Sequence, residues 1–323
     1  MRTDFPKPYF IRSNGIRLAV YEQGSGFPVI FCHGFPELAF SWRYQLPALA
    51  AAGFRAIALD QRGYGRSSKP DSVAEYDIPH LAADLIAVLD ALGLEKAVFC
   101  GHDWGGHLVW EMPILHPERV AGVIGLNTPH RYFRRMGEDP ETWVRNHFSA
   151  GNYRLAFLQE GIENELPAEL LPRFLGGLFR VRPLTMAEFR AAPAAVRNLE
   201  WEFILASALA PEPAGNPLMS PEDLHVYVEA FSGGGLTGPI NWYRNLHRNN
   251  QVLAGTSDKI TVPCLMLSAE DDIFLPPELA ENMKEYVPDL EKGLIRECGH
   301  WTQLEKPDEV NRLLIDWLGR RFA

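Results

Sequence analysis

The sequence predicts an α/β fold with a mainly parallel, doubly wound sheet that one helical block interrupts. Three observations predict it. Short apolar runs alternate with helix-period segments, several of these runs are apolar at every position, and the alternation stops between about residue 130 and residue 251. Strands that are apolar throughout are typical of a sheet covered by helices on both faces. The alternation of strands with helices favours parallel strands.

The predicted strands are short runs near both ends of the chain: Leu18–Glu22, Val29–Cys32, Ala56–Leu59, Ala97–Cys100, Val120–Leu126, Cys264–Ser268 and Leu294–Glu297. Between them, apolar residues at helical spacing from Leu81 to Leu92 predict a helix that ends at Gly93. A second helix is predicted after Pro307, where apolar side chains repeat this spacing through Leu318.

The helical block begins at Arg131 and has little strand signal, many aromatic residues and several glycine and proline breaks. One helix in it is well marked, because residues 220–223 form a capping-box pattern and the glycines at 233–235 follow as a stop. Such a block is expected to cover the carboxyl edge of the sheet, where active sites of α/β folds collect. We therefore predict a core domain of residues 1–130 and 252–323 and a helical cap (lid) domain of residues 131–251.

Composition and charge argue against several classes of partner. The chain has 323 residues, of which 46% are hydrophobic and 22% are charged, as in an ordinary globular protein. Its net charge of −10 argues against a nucleic acid or an anionic membrane. No run approaches the roughly 20 apolar residues that span a bilayer, and the start of the chain lacks the layout of a secretory signal. We therefore expect a cytoplasmic protein.

The cysteines predict neither a disulfide framework nor a metal site. They stand far apart, in or beside apolar strand-like runs, and none belongs to a metal-ligand pair: Cys32, Cys100, Cys264 and Cys298. Buried reduced thiols are the simplest interpretation.

Residues 101–105, Gly-His-Asp-Trp-Gly, follow the apolar run that ends at Cys100. Small residues around a central polar one, after a strand and before a helix, are the pattern of a nucleophile elbow. Glycines stand there because Cβ atoms would collide with the strand and the helix. The usual central residue is serine, but here it is Asp103. A carboxylate at this position attacks carbon and leaves an ester on the enzyme, which favours enzymes that open epoxides or displace halide.

His300 and an acid of the 270–272 cluster are the candidate base and orienting acid. Both follow predicted strands, and the chain order nucleophile, acid, histidine accompanies such elbows. Because parallel strands end at one edge of a sheet, we expect the three side chains to meet there. Spacing alone leaves Glu270, Asp271 and Asp272 open as the acid. The alternative position, after an earlier strand, carries Asn127, which has no charge.

The segment His33-Gly34-Phe35-Pro36 follows another apolar strand and predicts an oxyanion hole. In such folds the backbone N–H groups after this turn and after the nucleophile are the donors, which here are those of Phe35 and Trp104. They are needed because hydrolysis of an ester on Asp103 creates a tetrahedral oxyanion on the enzyme's own carboxyl group.

Together these segments resemble the soluble-type epoxide hydrolases of the α/β-hydrolase superfamily over nearly the whole chain. The resemblance is carried by residues 33–37, 60–65, 101–105, 241–245 and 299–303. It implies an α/β-hydrolase fold with an inserted cap, with the nucleophile on Asp103, the orienting acid on Asp272 and the water-activating base on His300. It also implies two lid tyrosines that hold the epoxide oxygen. Tyr243 matches one in Asn-Trp-Tyr-Arg-Asn, and Tyr153 matches the other through a looser local likeness.

The implied reaction converts an epoxide to a vicinal diol. A phenol suits the first step, since it can hydrogen-bond the opening oxygen and donate a proton to it. The implied partners are a small hydrophobic epoxide and water, with no metal, no organic cofactor, no nucleic acid and no membrane. A homodimer is left open. The substrate pocket is expected to include Phe35, Pro36, Trp104 and Trp301.

Two other functions stay open. A haloalkane dehalogenase uses the same set of two carboxylates and a histidine, and Trp104 beside the nucleophile suits a halide site. Phe35, however, has no side-chain N–H where a second halide donor is usual. A non-catalytic relative that binds a hydrophobic ligand would have lost a member of the catalytic set, whereas every member has a candidate here. The sequence therefore favours an epoxide hydrolase.

Overall fold

The computed structural model describes residues 5–132 and 139–322. Residues 1–4, at the amino terminus, residues 133–138, in the predicted cap, and residue 323 lie outside the described residues. The strands of the described chain are β1 (Tyr9–Ser13), β2 (Ile16–Gln23), β3 (Phe27–Cys32), β4 (Phe54–Asp60), β5 (Ala97–His102), β6 (Val120–Leu126), β7 (Arg180–Val181), β8 (Asn216–Pro217), β9 (Cys264–Ala269) and β10 (Leu290–Ile295).

The predicted doubly wound, mostly parallel sheet is confirmed. Eight strands form one sheet in the order β1-β2-β4-β3-β5-β6-β9-β10. The pairs β1–β2 and β2–β4 are antiparallel, and the other neighbours are parallel. The short strands β7 and β8 pair with each other outside this sheet.

Helices flank the sheet and fill the interval between β6 and β9. Before β6 lie α1 (Gln45–Ala51), α2 (Ile78–Ala91) and α3 (Trp104–Leu115), and after β10 lie α13 (Thr302–Glu305) and α14 (Pro307–Phe322). The interval holds α4 (Pro140–His147), α5 (Tyr153–Ala156), α6 (Leu171–Leu178), α7 (Met186–Ala191), α8 (Ala194–Arg197), α9 (Trp201–Ala208), α10 (Pro221–Gly234), α11 (Thr237–Arg244) and α12 (Leu246–Leu253). We call residues 139–253 the helical insert.

Both faces of the sheet are buried, which is why several of its strands are apolar throughout. Along β3, Val29 and Phe31 belong to one apolar cluster, whereas Ile30 and Cys32 belong to the other. Side chains alternate between the faces of a strand, so each face needs its own layer of helices. None of the helices in the described ranges is long and apolar enough to cross a membrane.

The structure differs from the sequence predictions at the two edges of the sheet and at one cap. The edge strand β1 is absent from the predicted strands, and β10 begins at Leu290, four residues before the predicted start at Leu294. The earlier start was missed because residues 291–293 are at least partly exposed and include the charged Glu291 and Lys292. The capping box of α10 is only half formed. Ser220 accepts a hydrogen bond from the Asp223 N–H, but the Asp223 carboxylate pairs with Arg43 at 3.2 Å instead.

The functional positions follow from this topology. The carboxyl ends of β3, β5, β6, β9 and β10 lie along one edge of the sheet, and the helical insert contacts the loops that follow them. The Trp301 indole N–H, after β10, donates to the Leu178 carbonyl of α6 at 3.1 Å. The ring of Tyr243 in α11 lies 4.8 Å from the ring of Trp104, at the start of α3. A site at this edge therefore has one wall from the sheet and one from the insert.

Candidate active site

Asp103 lies in a strained turn between β5 and α3. Its φ is 52° and its ψ is −119°, a conformation that non-glycine residues rarely adopt. The flanking glycines are required by close backbone approach. A Cβ atom on Gly101 would lie 2.2 Å from the Gly105 carbonyl oxygen, and one on Gly105 would lie 2.1 Å from the Cys32 carbonyl oxygen. The turn has the geometry of a nucleophile elbow, with the carboxylate at its tip only 17% exposed.

The loop after β3 closes against this carboxylate. The Phe35 N–H donates to Asp103 Oδ1 at 2.7 Å. Gly34 allows the approach, since a Cβ atom there would lie 2.4 Å from Asp103 Oδ1. The Thr128 hydroxyl donates to the Asp103 carbonyl at 2.7 Å and holds the turn from the other side. The Trp104 N–H, the second donor expected in an oxyanion hole, stays a prediction.

The structure brings Asp103, His300 and Asp272 together. His300 Nδ1 lies 2.9 Å from Asp272 Oδ2, and His300 Nε2 lies 3.9 Å from Asp103 Oδ2. When Nδ1–H donates to Asp272, Nε2 faces the elbow and can accept a proton from a molecule placed there.

Asp272 is fully buried but remains ionised. Burial raises the pKa of its carboxyl group, yet the charge and hydrogen bond of His300 and further donors lower the pKa below its ordinary value overall. The N–H groups of Phe274 and Leu275 donate to Oδ1 at 2.9 and 3.0 Å, and the Asn127 amide donates to Oδ2 at 2.6 Å. Among the three adjacent acids, Asp272 is the one that contacts His300.

His300 is held in its charged form by surrounding carboxylates. Burial alone would lower the pKa of its ring, but Asp272, Asp103 and Glu37 raise it from 6.5 to about 9. The resting site therefore holds an imidazolium between the carboxylates of Asp103 and Asp272. Any reaction that removes the charge of Asp103 also removes one of the causes of this high pKa.

Asn127 has a role that sequence reasoning missed. From the sequence it is only an uncharged residue at the alternative acid position. In the structure its amide donates to Asp272 Oδ2 and to the His300 carbonyl, the latter at 3.0 Å, and its oxygen accepts from the Thr302 hydroxyl at 2.8 Å. Asn127 therefore positions both the acid and the loop that carries the histidine. Its place at a strand end was the only sequence signal.

A second group of buried polar residues, Glu37, His102 and Gln303, lies behind His300. All three stand in the sequence motifs, but no role was predicted for them. Glu37 accepts from His102 Nδ1 at 2.7 Å and from the Gln303 amide at 2.6 Å. His102 Nε2 lies 2.8 Å from the His300 carbonyl, which can only accept. Because burial, which raises the pKa of Glu37, is outweighed by His102 and its hydrogen bonds, Glu37 is ionised. The ring of His102 lies 4.8 Å from that of His300.

An apolar cavity of about 460 Å³ opens above Asp103 and His300. Of the predicted pocket residues, Phe35, Pro36 and Trp301 line it. Trp104 lines a smaller neighbouring cavity of about 330 Å³ instead. Sequence reasoning did not anticipate the remaining apolar lining, which is Phe157, Phe174, Leu178, Trp201, Ile204 and Phe274.

Tyr153 and Tyr243 extend from the insert into the same cavity. Their ring centroids lie 6.1 Å apart, and the Phe157 ring lies 5.7 Å from Tyr153 and 5.0 Å from Tyr243. Burial raises the pKa of both hydroxyl groups above the ordinary value, and a hydrogen bond with Trp104 only partly opposes this at Tyr243. Both residues therefore stay protonated phenols, able to donate to an oxygen above Asp103.

A larger apolar cavity of about 960 Å³ continues on the far side of His300. It shares lining residues with the first cavity, namely Leu178, Ile204, Phe274, His300 and Trp301. Within residues 5–132 and 139–322, no cluster of three or more His, Cys, Asp or Glu side chains could hold a metal ion.

Comparison with known proteins agrees with this geometry. The sequence profile of the alpha/beta hydrolase fold family matches residues 28–307. Bifunctional epoxide hydrolase 2 of Sus scrofa is 42% identical over 96% of the chain, and the chain spans only 54% of that protein. Epoxide hydrolase A of Mycobacterium tuberculosis is 40% identical over 97% of both chains.

Solved structures give the same result. Epoxide hydrolase A of Mycobacterium thermoresistibile has a TM-score of 0.82 and 38% identity, over 97% of this chain and 98% of that one. An epoxide hydrolase from an endophytic Streptomyces has a TM-score of 0.87 and 34% identity, over 98% and 96%. On sequence and on structure, the chain belongs to the alpha/beta hydrolase fold family, in its epoxide hydrolase group.

Proposed function

We propose that this chain hydrolyses small apolar epoxides to vicinal diols through a covalent ester on Asp103. One observation carries the proposal. The carboxylate of Asp103 faces a cavity that has the His300–Asp272 pair on one side and the phenols of Tyr153 and Tyr243 on the other. In the proposed reaction these groups would serve as the nucleophile, the base and two acids around one apolar space.

In the first step, Asp103 Oδ2 attacks an epoxide carbon and the bond from that carbon to the ring oxygen breaks. Oδ2 is the attacking atom because Oδ1 is held by the Phe35 N–H. The electron pair of the broken bond moves to the ring oxygen, which takes a proton from Tyr153 or Tyr243. A neutral ester and a hydroxyl group replace the carboxylate and the epoxide. The tyrosinate regains its proton from the imidazolium of His300 through water, which leaves the His300 ring neutral.

In the second step, His300 removes a proton from water, and the water oxygen attacks the ester carbonyl carbon. Ester formation has removed the charge of Asp103, which is one cause of the high pKa of His300. The pKa of His300 therefore falls below about 9 when the ester forms, and the ring can become a base at neutral pH. The Phe35 N–H stabilises the tetrahedral oxyanion. Its collapse breaks the bond from the carbonyl carbon to Oδ2, and the diol oxygen that leaves takes a proton from His300. The carboxylic acid of Asp103 then gives its proton to His300, which restores the resting carboxylate and imidazolium.

The insert would act as a cap over this chemistry, with the domains divided as 1–130 plus 252–323 for the core and 131–251 for the cap. The apolar walls of the two cavities favour substrates whose substituents are hydrophobic. A haloalkane dehalogenase is less well supported. The Trp104 side chain, which would be a halide donor, bonds with Tyr243, and the Phe35 side chain has no N–H.

The origin of the diol oxygen tests this proposal. One turnover in heavy-oxygen water, with enzyme in excess over a phenyl-substituted epoxide, should give unlabelled diol, because the oxygen comes from Asp103. The label should appear in the tryptic peptide from Ala97 to Arg119, which contains Asp103. Labelled diol in the first turnover would mean that water attacks the epoxide directly. Bromide release from short bromoalkanes, without diol formation, would favour the dehalogenase.

A further inference from the structure

Arg154 follows Tyr153 in the insert and is only 4% exposed. Its guanidinium carbon lies 4.6 Å from the centroid of the Tyr153 ring, and its Nη2 donates to the Tyr132 hydroxyl at 2.8 Å. The rings of Tyr132 and Phe148 lie 5.9 and 5.7 Å away. The side chain thus lies inside a cage of aromatic rings.

This cation has no carboxylate ion pair within the described residues. Other arginines of the insert differ, since Arg244 pairs with Glu163 at 2.7 Å and Arg182 pairs with Asp271 at 3.1 Å. Arg154 Nη1 is buried and has no hydrogen-bond partner among residues 5–132 and 139–322. An arginine cannot discharge its burial cost by losing its proton. Contacts with ring faces offset part of that cost, and a nearby negative charge would offset more.

The negative charge that Arg154 faces is that of the catalytic cavity. Arg154 lines the smaller cavity together with Asp103, Tyr153 and Tyr243. Under the proposed function, negative charge leaves Asp103 during attack and builds on the ring oxygen held by the phenols. A fixed cation packed on Tyr153 stabilises the transition state more than the ground state if this charge moves towards Tyr153.

The two tyrosines have unequal surroundings. The face of Tyr153 is packed by a guanidinium, whereas the ring of Tyr243 contacts the uncharged rings of Trp104, Phe35 and Phe157 at 4.8 to 5.4 Å. A cation beside a phenol favours release of its proton. The pair is therefore electrostatically asymmetric, although both hydroxyl groups face the same cavity.

We propose that Arg154 is a positioning residue for epoxide opening that acts through Tyr153 and makes Tyr153 the stronger proton donor of the two tyrosines. This inference rests on the proposed function. It assigns a direction to the ring-opening step, in which the epoxide oxygen is drawn towards Tyr153 and Tyr243 has the supporting hydrogen bond.

A double-mutant cycle tests it. The single-turnover rate of ester formation is measured with a phenyl-substituted epoxide, with and without Arg154→Met, in the wild-type, Tyr153→Phe and Tyr243→Phe backgrounds. Methionine fills much of the arginine's volume without its charge. We expect Arg154→Met to slow ester formation about tenfold in the wild-type and Tyr243→Phe backgrounds, and less than about twofold in Tyr153→Phe. The rate of ester hydrolysis should stay within about twofold of the wild type, which a general loss of structure would not allow.

Two further variants keep the test decisive. Arg154→Lys retains the charge, so its rate of ester formation should lie between those of the wild type and Arg154→Met. Arg244→Met is the matched control. It removes an arginine that follows Tyr243 but pairs with a carboxylate, and its effect should be equal in all three backgrounds.

Equal slowing by Arg154→Met in all three backgrounds would overturn the inference, as would an Arg154→Lys variant that folds but is as slow as Arg154→Met. If Arg154→Met fails to fold, Arg154→Lys replaces it in the same cycle. A slowing of ester formation by Arg154→Lys that is equally large in the Tyr153→Phe background would also overturn the inference. Failure of the proposed function would be distinct, because the unmodified protein would then form no ester.

Discussion

The two walls of the catalytic cavity are built in different ways. The sheet wall has titratable side chains, Asp103, Asp272 and His300, fixed by hydrogen bonds at strand ends. The insert wall has rings in edge-to-face contact, with Phe157 between Tyr153 and Tyr243. One wall is organised by directional bonds between charges, and the other by apolar packing.

This difference indicates that the reacting atoms must be placed precisely on one wall, whereas the other wall must define the shape of the cavity. Proton transfer and attack require particular atoms within hydrogen-bond distance, which strand ends and buried donors can fix. The shape of the substrates that fit is set by the volume of the cavity, which the packed rings define. Each ring pair contributes only about 0.5–1.5 kcal/mol of stability beyond that of the area it buries. Changes to the sheet wall should therefore stop single steps of the reaction, whereas changes to the insert wall should alter rates and substrate range.

The largest effect is expected for His300→Gln on the sheet wall. Loss of the base should leave ester formation in place and slow ester hydrolysis by roughly 10³-fold or more. The intact mass should then rise by the mass of one epoxide, and the added mass should map to the tryptic peptide that contains Asp103. Asp103→Asn is the control, in which no adduct should form. Normal turnover without an adduct would place the base elsewhere.

The next effect is expected on the insert wall. Tyr153→Phe and Tyr243→Phe should each slow epoxide opening, and the double change should nearly abolish it, because losing such a donor costs on the order of 10²–10³ in rate and the second phenol partly covers for the first. The measurement is the single-turnover rate of epoxide loss. Full activity of the double variant would refute the role of both tyrosines.

The smallest effect is expected for a change of Glu305, which contacts both walls and which we call the seam between them. Glu305 accepts the N–H groups of Gly299 and Trp301, which flank His300, and of Arg182 in the insert, at 3.0 to 3.1 Å. Glu305→Gln turns an amide NH₂ towards these donors, so we expect kcat to fall by about fivefold and the melting temperature to drop by a few degrees. Glu270→Gln is the control, since the Glu270 carboxylate accepts the Glu297 N–H and lies 3.8 Å from Arg296, and both of these residues are exposed. Equal effects of both changes would exclude a role of the seam in placing His300.

The two walls also differed in how far the sequence could predict them. The strand-end residues stand in short motifs whose order along the chain matches the order of parallel strands, so the meeting of Asp103 with His300 followed from local patterns. Spacing did not choose between Asp271 and Asp272, because both follow β9. Only the fold shows that Asp271 contacts Arg182 of the insert while Asp272 contacts His300.

The aromatic wall could not be predicted in the same way. Phe157, Trp201 and Phe274 come from separate elements, and an aromatic residue in a helix or loop carries no local sign of the cavity that it will line. The cage around Arg154 has the same origin, because Tyr132 and Phe148 meet it only through folding. The edge strand β1 was missed and β10 was placed too late for another reason. Their exposed positions mix charged and apolar residues, Phe10 with Arg12 and Lys292 with Leu294, so neither strand has a clear apolar pattern.

The hydrogen bond from the Phe35 N–H to Asp103 Oδ1 makes the two oxygens of this carboxylate distinguishable. Under the proposed mechanism, Oδ2 forms the bond to substrate and departs inside each diol, whereas Oδ1 stays with the protein as the carbonyl oxygen of every ester. The atom that replaces Oδ2 would then come from water, and one oxygen of the Asp103 side chain would be renewed at each cycle. After many cycles in heavy-oxygen water the protein should hold one heavy atom per molecule at this residue, and a second would appear only as fast as the carboxylate rotates out of the bond with Phe35.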